Sequence, residues 1–273
     1  MKICFLWFWG RANEIYPNWR DGLRGAIEEL STRHQVDIYL GEVEPPDQYD
    51  AIIFWSDSNC TFFNVIDKYH GKKAICLTTD PHNFDNLRKL DAVFCESMPV
   101  YDSVRAQGIR AVRAFGTDTD FFCPPERTTD LEVKDIEFFY PATFSPWKKQ
   151  SDIAQLGPRL TCIGTVQPDG IAELEECKKH GVKIQEGYFP PEVLLDCYLR
   201  AKHVPIPAIH GSERTCLEAM ALNIVPTVNP NNKRTLSYIE EYIHSGCLTP
   251  RQFVLENYSH IQYAKTMEEA LSV

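Results

Sequence analysis

The residues best suited to carry chemistry in this 273-residue chain begin at His210. Gly211 and Ser212 form a turn after an apolar, strand-like run, and serine is a typical N-cap residue for the helix predicted to follow. The first N–H groups of a helix have no acceptor within it, and the helix dipole adds partial positive charge there. A pyrophosphate is the ligand that this arrangement favours. The donors would be the backbone N–H groups of Glu213, Arg214 and Thr215.

Glu218 lies about one and a half helical turns beyond this predicted N-terminus. A carboxylate at that depth can accept two hydrogen bonds from the diol of a ribose. Asn223, near the other end of the helix, suits the left-handed conformation in which many helices end. The segment therefore has the residues expected of a nucleoside diphosphate site.

Short apolar runs and helical patterns alternate around this segment, and they must position it. In the first half, an apolar helix face recurs at residues 23, 26, 27 and 30. A buried strand is predicted there at 3–9, and further strands are predicted at 36–40, 51–55, 74–77 and 92–95.

A segment with two prolines and several charged residues, at 121–130, interrupts the alternation and is predicted to be a linker. The alternation then restarts, with strands predicted at 136–140, 161–163, 182–185, 204–209 and 224–228. Helices are predicted at 172–180, at 192–202, up to residue 222, and from about 250 to the end. Alternating strands and helices favour parallel sheets covered on both faces, so we predict an α/β chain of two Rossmann-like domains. Ligands of such folds bind at the carboxyl ends of the strands.

The composition narrows the class of partners. Lys and Arg total 28 against 38 Asp and Glu, a net charge of −10, which gives no general attraction to nucleic acid or to an anionic membrane. None of the ten cysteines lies in a Cys-x-x-Cys pair, and several occur inside apolar runs, as is typical of reduced, buried thiols. No apolar run approaches transmembrane length. We therefore predict a cytoplasmic protein without a transmembrane segment.

The segment 210–228 resembles the signature of family-4-type retaining glycosyltransferases, which have the two-domain GT-B fold. The resemblance lies in the Gly-containing turn, the sequence Leu-Glu-Ala-Met-Ala at 217–221, and the Pro-containing strand that follows. It implies that Glu218 binds the nucleotide ribose. His210 stands where the family usually has a first glutamate, near the donor sugar.

Two further stretches resemble the same family. Residues 115–122, Phe-Gly-Thr-Asp-Thr-Asp-Phe-Phe, are similar to the turn that ends the first domain. Residues 139–149 are similar to the loop that carries an Arg and a Lys for the donor phosphates; Lys148 matches the Lys, whereas Thr143 occupies the Arg position. Lys149 or Arg214 is a candidate for the missing charge. Residues 258–273 resemble the terminal helix that packs back on the first domain, and Thr79-Asp80-Pro81 gives a weaker match to spore-maturation-type glycosyltransferases.

The resemblance implies domains at 1–125, for the acceptor, and 134–250, for the nucleotide sugar, with 251–273 returning to the first. It implies metal-independent transfer from a nucleoside diphosphate sugar, UDP- or GDP-linked, to a hydroxyl acceptor with retention, and no cofactor. The implied catalytic residues are Lys148, His210 and His82. The remaining donor contacts would come from Thr143, Lys149, Tyr188 and residues 211–215 and 218, and the acceptor contacts from Gly10, Arg11 and Asp80.

Three alternatives stay open at this point. The chain could be a non-catalytic binder of sugar nucleotides or carbohydrates, since Thr143 and His210 stand where charged residues are usual. It could be a sugar-nucleotide epimerase of the same fold. It could also glycosylate a DNA base, although the net charge of −10 argues against a nucleic-acid partner.

Overall fold

A computed structural model of the chain describes residues 1–7, 20–41, 44–125 and 134–272. It has two compact α/β units, one formed by Met1–Asp118 with Tyr258–Val273 and the other by Thr119–Asn257. The predicted fold class is confirmed, because each unit is built on a parallel sheet with helices between its strands.

The boundaries of the two units differ from the predicted ranges. Residues 119–125 and 251–257 belong to the second unit, and not to the first domain or the returning segment. Phe122 is buried against Tyr198, with ring centroids 6.1 Å apart. The guanidinium of Arg251 donates to the backbone carbonyl of Phe122 at 3.0 Å. These contacts hold both segments in the second unit.

The sheet of the first unit has six parallel strands in the order β2-β1-β3-β4-β5-β6. They are β1 (Lys2–Trp7), β2 (Gln35–Leu40), β3 (Ala51–Ser56), β4 (Lys72–Leu77), β5 (Ala92–Cys95) and β6 (Ala111–Arg113). The first five were predicted, except that residues 8 and 9 lie outside the described ranges. The sixth was missed because three half-buried residues are too few to show a period.

Two hydrophobic clusters cover this sheet. Ile3 and Phe5 of β1 belong to one cluster, and Cys4 and Leu6 belong to the other, as the two-residue period of a strand dictates. The helices of this unit are α1 (Gly22–Ser31), α2 (Phe84–Leu87), α3 (Met98–Ala106) and α9 (His260–Ser272), and 3₁₀ turns lie at Thr61–Asn64 and Ile66–Lys68.

The last helix, α9, packs on α1 within the first unit, as the resemblance implied. Gly25 permits the close approach, since a Cβ there would lie 2.7 Å from the Cβ of His260. The backbone of Thr117 fixes the entry to this helix. Its N–H donates to the carbonyl of Tyr258 and its carbonyl accepts from the N–H of His260, both at 2.9 Å.

The second unit has a four-stranded parallel sheet in the order β10-β7-β8-β9 and a separate parallel pair, β11-β12. The strands are β7 (Ile136–Pro141), β8 (Leu160–Gly164), β9 (Lys183–Glu186), β10 (Ala201–His203), β11 (Pro205–Ile206) and β12 (Thr227–Val228). The helices are α4 (Ile171–Lys179), α5 (Pro191–Arg200), α6 (Glu213–Ala221), α7 (Lys233–Ser245) and α8 (Pro250–Asn257), with 3₁₀ segments at Gln150–Arg159 and Pro168–Gly170.

Three details of this unit correct the sequence-based predictions. The helix predicted to residue 202 ends at Arg200, and the chain continues as a strand. The strands predicted at 204–209 and 224–228 have only two residues each, because prolines at 205, 207 and 226 remove ladder donors. The helix α7 was not predicted, although Asn232 is a good N-cap residue and its side chain accepts from the N–H of Thr235.

All ten cysteines lie in the described ranges and are free thiols. Burial raises the pKa of Cys4, Cys76 and Cys95 to about 12, so these thiols stay protonated. Among the described residues, no helix combines the length and the apolar character needed to cross a bilayer.

Candidate functional site

The N-terminus of α6 is formed by a turn in which two consecutive residues have left-handed backbone. Gly211 has φ +73° and Ser212 has φ 78°. Ser212 occupies the N-cap position as predicted, but its side chain makes no capping hydrogen bond, which corrects the expected role of its hydroxyl. The N–H groups of residues 213–215 begin the helix and have no acceptor within it. Asn223 at the other end has φ 61°, as predicted for the residue that ends the helix.

Lys148 brings the first cation to this turn. Its Nζ donates to the Oγ of Ser212 at 2.9 Å and lies 3.5 Å from the carbonyl oxygen of His210. A Cβ added to Gly211 would lie 2.8 Å from this Nζ, so the ammonium would have to move if another residue stood there. Burial lowers the pKa of Lys148 to about 8; the nearby Glu213 carboxylate opposes that shift.

The loop after β7 is held so that Lys148 points at the turn. Tyr140, fully buried at the end of β7, donates to the carbonyl of Lys148 at 3.3 Å and its hydroxyl also lies 3.3 Å from the Oγ of Ser212. Gln150, also fully buried, donates from Nε2 to the carbonyl of Thr143 at 3.0 Å. Neither Tyr140 nor Gln150 was identified from the sequence as a support of this loop, although Tyr140 lies within residues 139–149 and Gln150 follows them, because the residue type alone does not show which backbone group a side chain reaches.

A buried ion pair lies under the same turn. The Nε of Arg234 is 2.7 Å from the Oε1 of Glu213, and both side chains are almost fully buried. Nη1 of Arg234 lies 3.3 Å from Nε2 of His210. Arg234 belongs to α7, and two neighbours in that segment, Asn232 and Thr235, each donate to the carbonyl of Gly211 at 2.7 Å. The start of α7 therefore braces the turn, and recognising the Asn232 cap would have pointed to these residues.

Glu218 lies in the second turn of α6 and its side chain is 3% exposed. Its Oε2 accepts from the hydroxyl of Tyr198 at 2.9 Å. Its Oε1 is 3.2 Å from Nε of Arg214, one helical turn earlier, whose side chain is 40% exposed. Burial and the Glu218 carboxylate raise the pKa of Tyr198, so its hydroxyl remains a donor. The buried hydroxyl of Tyr198 thus holds one carboxylate oxygen of Glu218, and the partly exposed guanidinium of Arg214 lies beside the other.

Lys148, Arg214 and Arg234 bring cations to the turn. Arg214 is paired with Glu218, and Arg234 is paired with Glu213. The ammonium of Lys148 lies beside the positive end of the α6 dipole.

The structure brings most of the predicted donor residues together. Lys148, His210 and residues 211–214 and 218 lie around the N-terminus of α6. The hydroxyl of Thr215 donates inward to the carbonyl of Pro141 at 3.3 Å, which anchors the helix to β7. The contact predicted for Thr215 was one of its backbone N–H, and it stays a prediction.

Three other predicted donor residues lie at the carboxyl ends of neighbouring strands. Thr143 follows β7, and its hydroxyl lies 3.0 Å from that of Thr165, which follows β8. Lys149 has left-handed backbone, φ 56°, at the start of a 3₁₀ segment. Tyr188 follows β9 and is 56% exposed. Their contacts with a ligand stay predictions.

The predicted acceptor residues and His82 belong to the first unit. Asp80 and His82 follow β4, and the N–H of His82 donates to the Oγ of Ser58 at 2.9 Å. The short helix α2 is capped by Asn83, whose side chain accepts from the N–H of Asn86. Gly10 and Arg11 lie outside the described residues. The roles predicted for these four residues stay predictions.

Within the described ranges, no group of three or more His, Cys, Asp or Glu side chains is arranged to hold a metal ion.

No protein-family model matches the chain. No curated protein matches it either. Solved structures do match, over nearly the whole chain. The crystal structure of AviGT4, a glycosyltransferase involved in avilamycin A biosynthesis, is similar with a TM-score of 0.61 at 12% identity, covering 100% of this chain and 97% of the other.

Two further structures extend this comparison. An α-glucosyltransferase in complex with UDP and a 13-mer DNA containing an HMU base has a TM-score of 0.56 at 12% identity, with 100% and 94% coverage. A UDP-N-acetylglucosamine 2-epimerase has a TM-score of 0.51 at 9% identity, with 98% and 95% coverage. The chain therefore shares the GT-B fold of these glycosyltransferases, as the sequence predicted.

Proposed function

We propose that this protein is a glycosyltransferase that moves a sugar from a nucleoside diphosphate sugar to an acceptor hydroxyl. The observation that carries the proposal is the ammonium of Lys148 held at the N-terminus of α6, 2.9 Å from Ser212 Oγ and against the bare Cα of Gly211. A buried cation beside the positive end of a helix is costly for a protein to keep unless an anion uses it.

The donor diphosphate binds at this N-terminus. Its oxygens accept from the N–H groups of residues 213–215 and from Nζ of Lys148. The ammonium of Lys148 and the positive end of the α6 dipole attract the anion, and the low-dielectric surroundings of the ammonium strengthen the attraction. Arg214 supplies the second cation, which the Thr143 position lacks. It is close enough to lower the pKa of Lys148, and its side chain is exposed enough to turn toward a ligand.

The ribose of the donor binds Glu218. Each carboxylate oxygen has two lone pairs, so Oε1 can accept a ribose hydroxyl while Oε2 keeps its bond from Tyr198. When Arg214 moves to the diphosphate, Oε1 gains a free position for the diol. Binding of the two halves of the nucleotide is therefore coupled through the Arg214–Glu218 pair.

Catalysis follows from charge that develops on the leaving diphosphate. As the bond between the anomeric carbon and the phosphate oxygen breaks, negative charge grows on that oxygen, and Lys148 and the helix N–H groups stabilise it more than they stabilise the bound donor. These groups do the work without a metal ion. The resemblance of residues 210–221 to retaining enzymes supports transfer with retention, and UDP or GDP is the leaving group.

A sugar-nucleotide epimerase is the second candidate, because one similar structure is a UDP-N-acetylglucosamine 2-epimerase. An epimerase would use the same diphosphate and ribose contacts, so the site residues alone do not separate the two activities. The reaction products separate the two activities. A transferase releases nucleoside diphosphate as it glycosylates an acceptor or water, whereas an epimerase converts a 2-substituted donor sugar to its epimer.

The first experiment is a thermal unfolding screen against UDP, GDP, ADP, their sugars, and the matching nucleosides. A ligand at a hundred times its dissociation constant stabilises the fold by about 2.7 kcal/mol. Wild-type protein should respond to at least one diphosphate and not to its nucleoside at the same concentration. If no nucleoside diphosphate or sugar nucleotide shifts the transition, the proposal is wrong.

The second experiment measures turnover with the donor that the screen identifies. Release of the nucleoside diphosphate is followed with and without a mixture of sugar, lipid and hydroxymethylated DNA acceptors, and the anomeric configuration of the product is read by NMR. Tight donor binding without release under any condition would favour the non-catalytic binder. Activity that is lost in a chelator and restored by manganese or magnesium would contradict the metal-independent mechanism.

A further inference from the structure

His210 has an unusual neighbour for an imidazole in a phosphate-binding turn. Its Nε2 lies 3.3 Å from Nη1 of Arg234, and the same guanidinium forms the buried ion pair with Glu213 at 2.7 Å. Arg234 is fixed in place, because its side chain is only 8% exposed and it starts a helix whose cap also holds Gly211. The carbonyl of His210 meanwhile lies 3.5 Å from Nζ of Lys148.

The chemistry of arginine decides the direction of the His210 hydrogen bond. A guanidinium has five N–H donors and no acceptor, and it keeps its proton at any pH that a protein survives. Nη1 of Arg234 must therefore donate, and Nε2 of His210 must accept. An imidazole whose Nε2 accepts is neutral and carries its single proton on Nδ1.

We infer that Arg234 is a positioning residue that holds His210 as the neutral tautomer protonated on Nδ1, so that His210 offers a hydrogen-bond donor to the group seated on the turn. The ligand atom is then an acceptor: a sugar hydroxyl or ring oxygen, or a phosphate oxygen. A glutamate at this position would do the opposite, because an ionised carboxylate only accepts. The identity of the ligand rests on the proposed function, whereas the tautomer does not.

Two cations lie close to His210. Protonation of Nε2 would point an N–H at the guanidinium of Arg234, and the resulting imidazolium would also stand near Lys148. The carboxylate of Glu213 pairs with Nε of the same guanidinium. The contact with Arg234 therefore favours a ring whose Nε2 carries no proton.

The tautomer is measured directly in the wild-type protein without ligand. Two-bond ¹⁵N–¹H correlation spectra at pH 7.5 distinguish protonated from unprotonated ring nitrogens, and the His210→Gln variant identifies the His210 signals among the eight histidines. The expected spectrum has a protonated Nδ1 and an unprotonated Nε2. A protonated Nε2, alone or together with Nδ1, would overturn the inference.

Three variants test the part played by Arg234. Arg234→Met removes the donor and should shift His210 toward the Nε2-protonated tautomer that free imidazole side chains prefer. Arg234→Lys restores a donor and should return the wild-type pattern. Glu213→Gln breaks the ion pair but keeps the guanidinium, so it should leave the tautomer unchanged. If the tautomer is unchanged in Arg234→Met and circular dichroism shows an intact fold, a group other than Arg234 sets the tautomer. If Arg234→Met does not fold, the spectra of Arg234→Lys, Glu213→Gln and the wild type still test the inference.

The donor role of Nδ1 has its own test, with two amides that imitate the two ring nitrogens. The amide nitrogen of asparagine reaches roughly the position of Nδ1, and that of glutamine the position of Nε2. His210→Asn should keep the affinity for the sugar nucleotide within about twofold of wild type, whereas His210→Gln should weaken it by about tenfold, the effect of one lost hydrogen bond. Equal losses in both variants would reject the Nδ1 donor. Absence of any sugar-nucleotide binding by the wild type would instead reject the proposed function and leave the tautomer result standing.

Discussion

The ammonium of Lys148 and the hydroxyl of Ser212 meet at 2.9 Å, across 64 residues of sequence, at the N-terminus of α6. Ser212 can make this bond because its left-handed backbone, φ 78°, turns its side chain away from the helix it begins. The hydroxyl of Ser212 therefore holds the ammonium of Lys148 in place and does not cap the helix. Four predictions test what that cation and its surroundings do.

Binding of a nucleoside diphosphate should depend on pH through Lys148. Its pKa in the free protein is lowered to about 8 by burial, and a bound diphosphate favours the charged form. Below pH 8 the ammonium is already present, so this group leaves the affinity unchanged. Above pH 8 binding must take up a proton, so the affinity should fall by up to about tenfold per pH unit.

Calorimetry between pH 6.5 and 9.5, in pairs of buffers with different ionisation enthalpies, measures both the affinity and the proton uptake. Lys148→Met should remove the uptake above pH 8. Lys149→Met is the matched variant, since it deletes the neighbouring cation and should leave the pH at which uptake begins unchanged. Uptake that persists in Lys148→Met would assign the titration to another residue.

Lys148→Met should also stabilise the protein in the absence of ligand. A lysine whose pKa is lowered on folding, from 10.5 to about 8, disfavours the folded state wherever it is charged, that is below pH 8. The gain at pH 7 is limited to about 3 kcal/mol by the size of the shift. It should shrink as the pH rises from 8 to 10.5, where the wild-type lysine is neutral when folded.

Urea unfolding at pH 7 and pH 10 compares the free energies of unfolding of the two proteins. Lys149→Met again serves as the control, and its effect should be the same at both pH values. A variant less stable than wild type at pH 7 would mean that the bonds of Lys148 to Ser212 and His210 outweigh its burial.

Gly211→Ala should impair ligand binding beyond its effect on stability. Alanine at φ +73° costs about 1–2 kcal/mol of backbone strain, and its Cβ would lie 2.8 Å from Nζ of Lys148, which must move. Gly181→Ala is a close control in the same unit, because Gly181 has φ +74° and a Cβ there would meet nothing within 4 Å.

The two variants should lose similar stability in thermal unfolding. Only Gly211→Ala should weaken the binding of the nucleoside diphosphate, by about tenfold if the displaced ammonium loses one charge-assisted hydrogen bond. Equal affinities in both variants would show that the position of Lys148 is not critical.

Glu218→Ala should lose both stability and nucleotide affinity. The buried hydroxyl of Tyr198 would lose its acceptor at 2.9 Å, which costs about 1–3 kcal/mol, and the ribose would lose its partner. Tyr198→Phe separates the two effects, since it removes the hydroxyl from Glu218 without touching the carboxylate that faces the ligand.

The affinity of each variant for the diphosphate is measured by calorimetry. Its free energy of unfolding is measured by chemical unfolding. Tyr198→Phe should be less stable than wild type but bind with an affinity within about threefold of it, whereas Glu218→Ala should bind at least tenfold more weakly. If Glu218→Ala binds as well as Tyr198→Phe, Glu218 is a structural acceptor for Tyr198 and not a ribose ligand.

The parts of the site that could be predicted from the sequence are those whose residues are close together along the chain. Gly211, Ser212 and Glu218 form one continuous turn and helix, so the local signals of glycine, an N-cap residue and helical spacing were enough to identify it. Lys148 was found only by the resemblance of its loop. The five longer strands of the first sheet were predicted for the same local reason, since each contains a run of mainly apolar residues.

Local signals also misled where two local preferences competed. Serine at an N-cap position predicts a capping hydrogen bond, but the left-handed backbone of Ser212 and the nearby ammonium of Lys148 redirect its hydroxyl. Prolines in the runs at 204–209 and 224–228 shorten strands that hydrophobicity alone predicts to be long.

The sequence by itself determined the alternation of strands and helices, the helix N-terminus after Gly211 and the acidic balance of the surface. The tertiary structure decided which distant side chains meet there. Arg234 beside His210 and Tyr198 against Glu218 come from other elements and carry no signal near the motif. The physical reason is that helix ends and strand periods are set by neighbours along the chain, whereas burial, ion pairing and the lowered pKa of Lys148 depend on which elements the folded core packs together.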